Sequence, residues 1–244
     1  RGLSFMGTKI YGQGFTFDDT DRSDSTGTIA EMDQLVAGHP ANKEVISPYI
    51  GWKEIANDPT QSHHRFVINF GERPLEECRS RWPELVAIVE NRVRPERMNN
   101  KRKARRENWW RFGETTPGLF SALSKRNRVL VTSCAGTPHL AFAFQQANKV
   151  FAQTLAVIIA DTNAAFCALQ ARPHEIWARF FSSSMKDDLR YTPSDCLENF
   201  PFMGDWQTAQ ALETAGHDYY QHRADLMVDR GHGLTETYNR FHDP

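Results

Sequence analysis

Apolar positions recur along the chain in short runs and in helical steps, and the two patterns mix without a regular alternation. Glu44–Ile50, Arg65–Phe70 (RFVINF), Arg128–Ser133 (RVLVTS), Leu140–Phe144 and Leu155–Ile159 have the length and the β-branched and aromatic content of strands. Lys9–Phe17 (KIYGQGFTF) is β-like but broken by Gly12 and Gly14. Helical spacing covers Pro74–Asn91, where Pro83 restarts the helix, and Ala164–Phe181, which breaks near Pro173. A further helix spans Trp206–Asp229 and stops at Gly231-His232-Gly233. Thr28-x-x-Glu31 has the form of a capping box for a helix reaching about Val36. Strands and helices in this order predict an α+β fold with a mixed sheet, followed by a helical C-terminal segment.

Composition narrows the classes. The chain has 244 residues, 40% of them hydrophobic, which is enough for one large domain or two small ones. The formal net charge of −1 gives no global sign of a nucleic-acid binder. The four cysteines, Cys78, Cys134, Cys167 and Cys196, are far apart and form no CxxC, which fits reduced thiols in a cytoplasmic setting better than disulfides or zinc. No apolar run is long enough to span a bilayer. The start, RGLSFMGTK, has no signal-peptide core, and the polar end, TYNRFHDP, reads as a cut from a longer protein.

Charge is concentrated locally. RVRPERMNNKRKARRENWWRF carries nine Arg and Lys residues against Glu96 and Glu107. Such a cluster binds phosphates by releasing counterions, or forms a solvated basic face. Trp109 and Trp110 read as anchors of this segment to a core. A second charged pattern is SMKDDLRYTP, where Lys186, Asp188 and Arg190 alternate with Met185, Asp187 and Leu189. In one extended strand those three charges would stand on one face. Either the row is a solvated face with weak ion pairs, or it reads bases: Lys donates to guanine O6 and N7, and a carboxylate accepts from cytosine N4.

Other chemistry is thin. His63-His64 has no further ligands at metal spacing, and His217 and His222 are five apart. Ser182–Ser184 has no nucleophile elbow, Gly12-x-Gly14 lacks a third glycine, and there is no P-loop. No catalytic residue and no metal site is assigned. An enzyme built on His63, His64 and nearby acids, and a protein–protein docking module built on the basic stretch, stand as competing classes.

Several phrases occur together in order: SFMGTKIYGQGFTF, NKEVISPYIGWKEIANDP, HHRFVINFGERPLEE, VENRVRPER, RRENWWRFGE, FSSSMKDDLRYTPSDCLENFPF and LTETYNRFHDP. The set resembles the C-terminal half of MmeI-like fused restriction–modification enzymes and related phage-defence adenine-specific DNA methyltransferases. The resemblance implies a DNA target recognition domain over residues 1–202 and the start of a helical segment over 203–244. It implies that an upstream methyltransferase domain holds S-adenosylmethionine and, in an Asn-Pro-Pro-aromatic motif, the flipped adenine. This sequence contains no Asn-Pro-Pro, so no cofactor is expected in this piece.

By the same resemblance, Lys186 and Asp188 choose the base pair next to the methylated adenine, and Arg190 is a further base contact. Ser133, Gln146, Asn148 and Gln153 are candidate readers from the Val131–Gln153 region. Arg102, Lys103, Arg105 and Arg106 are candidate phosphate contacts, with Arg94 and Arg97 as structural alternatives. The implied partners are double-stranded DNA and the upstream domain of the same chain.

Overall fold

The computed structural model describes residues 2–185 and 188–242. Its strands are β1 (Ser4–Met6), β2 (Thr16–Phe17), β3 (Ile46–Ile50), β4 (Arg65–Ile68), β5 (Arg128–Ser133), β6 (Ala143–Gln146), β7 (Val150–Phe151), β8 (Leu155–Ile158), β9 (Ser183–Met185) and β10 (Asp188–Arg190). Its helices are α1 (Ile29–Gly38), α2 (Trp52–Asn57), α3 (Leu75–Arg81), α4 (Pro83–Arg92), α5 (Arg94–Met98), α6 (Lys103–Glu107), α7 (Pro117–Leu123), α8 (Asn163–Gln170), α9 (Arg172–Phe181), α10 (Pro193–Cys196), α11 (Gln210–Arg230) and α12 (Leu234–His242). The class is α+β, as the pattern predicts. The chain divides into two compact units, one of residues 1–7, 50–62 and 118–244, the other of residues 8–49 and 63–117.

The first unit is built on an antiparallel sheet in the order β1-β8-β5-β6. Both faces of its central strands are covered. Val129 and Val131 of β5 and Leu155 and Val157 of β8 pack with Ile55, Leu119, Leu123 and Leu234. Leu130, Ala156 and Ile158 pack on the other side with Phe166, Leu169, Ala178 and Cys196. Burial on both faces is why these strands read as unbroken apolar runs rather than as alternations.

Helices α8 and α11 approach closely. Gly216 makes this possible: a Cβ there would stand 2.1 Å from the Asn163 carbonyl oxygen. One turn earlier, the Glu213 carboxylate accepts from Asn163 Nδ2 (2.8 Å) and Ala164 N (2.7 Å), satisfying the start of α8 beside its Thr162 cap. Arg223, further along α11, is buried without a carboxylate partner among the described residues. Its Nη2 donates to Phe142 O (2.7 Å), its Nη1 to Tyr238 Oη (3.1 Å), and it lies over the rings of Phe166 and Tyr220. Gly231, in the left-handed region, then ends α11.

The second unit holds the antiparallel strands β2, β4 and β3, side by side in that order, with a parallel bridge between Phe17 and Gly27. Half of the predicted capping box is present: Thr28 Oγ1 accepts from Glu31 N at 3.1 Å and α1 follows, while the Glu31 carboxylate pairs with Arg92. Pro83 opens α4 after a break at Trp82, whose ring is fully buried. The stretch Lys9–Phe17 forms a strand only at Thr16–Phe17, because Gln13–Phe15 turns as a single 3-10 helix. No helix among the described residues is long and apolar enough to cross a membrane.

Two outcomes follow from this packing. Gly216→Val should destabilise the fold by about 1–3 kcal/mol or more, since the two helix backbones must separate; urea unfolding measures it, and an unchanged midpoint would refute the close approach. The second concerns His174, whose imidazole is fully buried and held down to about 4 by that burial. In the unfolded chain it titrates near 6.5. The unfolded state therefore binds the extra proton between these values. Stability from this group is complete above about pH 6.5 and falls by about 3 kcal/mol as the pH drops toward 4. His174→Gln should flatten that part of the stability curve; parallel curves for the two proteins would sink the assignment.

Candidate nucleic-acid interface

The segment around Asp188 is a hairpin. β9 and β10 pair antiparallel, with Met185 opposite Asp188, Ser184 opposite Leu189 and Ser183 opposite Arg190. Of the three residues read as one row, Asp188 and Arg190 share a face of β10. Lys186 lies outside the described residues.

β10 is fixed from within. Leu189 is 2% exposed and joins the cluster of Leu130, Phe142 and Phe166, while Asp188 and Arg190 on either side of it are exposed. Leu189 also exchanges both backbone hydrogen bonds with Thr137, at 2.9 and 3.1 Å. Tyr191, the next buried residue, meets His174 Nε2 through its hydroxyl at 3.0 Å. The loop carrying Thr137 is itself braced: Arg179 Nη2 donates to Pro138 O (2.7 Å), and His139 Nε2 lies 2.9 Å from Asn239 Oδ1. Gly136 in that loop has φ +85°, and its Cα passes beside the Asp188 side chain. Neither Asp188 nor Arg190 has an ion pair or side-chain hydrogen bond among the described residues. Two opposite charges thus stand free on a strand whose intervening side chain is locked.

The other candidate readers separate by burial. Ser133 closes the central strand β5, is fully buried, and its hydroxyl accepts from Ala135 N at 3.1 Å. Its hydroxyl is enclosed and engaged within the fold. Gln146 on the edge strand β6, Asn148 in the turn after it and Gln153 before β8 are exposed.

In the second unit the basic stretch resolves into distinct roles. Arg92 pairs with Glu31 through two contacts of 2.8 and 3.0 Å, and Arg94 pairs with Glu90. Arg97 is buried, donating to the carbonyls of Ile10 and Tyr11. Arg111 and Trp110 Nε1 both donate to Arg73 O, and both tryptophans are buried as anchors. Arg102 and Lys103 are exposed, Lys103 within 3.6 Å of Glu107. Arg105 and Arg106 are half-buried; Arg106 Nη1 donates to Asn100 O at 2.6 Å.

The two adjacent histidines have separate surroundings. His64 Nε2 lies 3.9 Å from Asp18 Oδ1 and His63 meets the edge of Phe66. Among the described residues no group of three His, Cys, Asp or Glu is placed to hold a metal ion. Burial raises all four thiols, Cys134 to about 12, so none is an activated nucleophile.

Sequence reasoning missed the pieces that hold the hairpin: Gly136, the Thr137–Leu189 pairing and the His174–Tyr191 contact. The alternation of Leu189 and Tyr191 with Asp188 and Arg190 was the available signal.

No curated protein matches the chain. Among solved structures, the type IIL restriction–modification enzyme MmeI in complex with DNA superposes with a TM-score of 0.63 at 14% identity. That match covers 99% of this chain and 36% of the MmeI chain, so the present chain spans about a third of it. Residues 21–204 match the family model of the MmeI target recognition domain, well over half of the chain. This chain belongs to the MmeI target recognition domain family.

Proposed function

We propose that this chain reads DNA sequence for an adenine-N6 methyltransferase of the restriction–modification type. The observation that supports the reading is the free Asp188 and Arg190 pair on β10, with Leu189 locked between them. A carboxylate accepts from cytosine N4, and a guanidinium donates two bonds to guanine O6 and N7 in the major groove. Side chains on a rigid strand keep the registration that such contacts need. Lys186, by its resemblance to the family position, completes the reader with Asp188 at a G·C pair immediately 3′ of the target adenine.

Gln146, Asn148 and Gln153 are exposed polar residues suited to further base contacts. Arg102, Lys103, Arg105 and Arg106 are suited to phosphate contacts, which position the protein without specifying sequence. An upstream domain of the parent chain would bind S-adenosylmethionine and receive the flipped adenine. This chain would supply the choice of site, with no methylation or cleavage of its own.

Selection from a randomised duplex pool tests this directly. The 244-residue chain should enrich a motif containing an A-G step. Lys186→Glu with Asp188→Arg should move the base after the adenine from G toward C. Retention without any motif, or an unchanged motif in the double variant, would overturn the assignment. A second outcome separates reading from positioning. Arg190→Ala should cost about 1–3 kcal/mol at one base position only. Arg102→Ala should weaken every sequence alike, and the reverse pattern in a binding titration would exchange their roles.

A further inference from the structure

Beside α6, in the second unit, is a cavity of about 250 Å³. Its walls include Arg97, Arg105, Arg111, Asn108, Glu72 and Glu114. Two guanidiniums here are incompletely satisfied. Arg97 is 2% exposed; its Nε and Nη2 donate to the carbonyls of Ile10 and Tyr11, but its Nη1 is buried without a hydrogen-bond partner. Arg105 lies 3.9 Å from the centre of the Tyr11 ring, and its Nη2 is likewise buried and unpartnered.

Among the described residues neither cation has an ion pair; Glu96 acts on Arg97 through space and offsets only part of the burial and the Arg105 charge. Glu114 is taken by Lys9 Nζ at 2.9 Å, and Glu72 accepts from Thr115 Oγ1 at 3.4 Å. Burial and the neighbouring Arg105 charge both hold Arg97 below its ordinary range. Two like charges lining one cavity, each with an unpartnered donor, are unfavourable in the protein alone. An oxyanion would relieve the repulsion and accept both donors, and guanidinium forks match the geometry of phosphate.

We propose that the Arg97–Arg105 cavity is a binding site for one phosphate group. Arg105 is half-exposed and Arg97 is not, so an incoming phosphate meets Arg105 first and Arg97 completes the clamp. The phosphate belongs either to a DNA backbone or to a free anion. The DNA arm rests on the sequence-reading function proposed above; the free-anion arm does not. In the DNA arm, Arg97 passes from a purely structural residue to a phosphate contact, and Arg105 contributes more than its exposed neighbours.

The test uses the 244-residue chain, Arg105→Gln, Arg105→Lys and a control, Lys43→Gln, at an exposed lysine away from the basic stretch. Thermal midpoints are measured in inorganic phosphate against chloride at equal ionic strength. Duplex affinity is measured across salt concentrations. The phosphate-specific rise in midpoint should vanish in Arg105→Gln, shrink in Arg105→Lys and persist in Lys43→Gln. For a DNA phosphate, Arg105→Gln should also lower the slope of log affinity against log salt by about one, leaving the selected motif unchanged. A lost phosphate rise with an unchanged slope supports the free-anion arm. If the unsubstituted chain binds no duplex, the sequence-reading function fails and the phosphate arm alone decides the cavity. A phosphate rise and a salt slope both indifferent to Arg105→Gln would overturn the site.

Discussion

The constraint behind the first unit is that β5 and β8 bury side chains on both faces. A strand in that position has no outlet for a polar side chain except through the backbone or a turn at its end. Thr132 bonds back to the Ala141 carbonyl, and Ser133 turns onto Ala135 N. Exposed polar side chains are therefore displaced to places the packed layers leave uncovered. The edge strand β6 with Gln146, the turn with Asn148, and the β9–β10 hairpin are such places. Ser133, named as a reader by residue type, sits buried at the end of such a strand.

What was legible in the sequence is what local chemistry determines. Thr28 and Glu31 mark a helix start because the cap satisfies backbone donors whatever lies beyond it. Pro83 and Pro173 reopen helices because proline at the first turn loses no hydrogen bond. Gly231 ends α11 because its backbone is left-handed. The misread segments depend on distant partners. Leu140–Phe144 looks like a strand from its first residue, yet pairing begins at Ala143, opposite Val131. The alternation of Asp188 and Arg190 with Leu189 and Tyr191 marks a strand, yet only its pairing with Ser183–Met185 and Thr137 places it. Periodicity shows which residues alternate, not where the chain reverses.

The basic stretch shows the same limit in electrostatic form. Counting charges makes Arg92 through Arg111 a single positive face. In the folded chain Arg92 and Arg94 are joined to carboxylates, and Arg97 and Arg111 to backbone carbonyls. Arginine serves both uses because its planar fork can satisfy several carbonyls at once while keeping its charge. The surface available to an external partner is narrower than the sequence implies, and it centres on α6.

On the proposed function, holding and reading fall to different residues along four consecutive positions. Leu189 and Tyr191 are buried and carry the packing, the Thr137 pairing and the His174 contact. Asp188 and Arg190 are exposed, and their side chains make no hydrogen bond or ion pair among the described residues. Substituting an exposed, unpaired side chain generally changes stability by no more than about 0.5 kcal/mol. The fold therefore exerts little pull on what stands at 188 and 190, while fixing where those positions lie. A scaffold arranged this way can change its reading without rebuilding its core, because specificity is set by side chains that the core does not use.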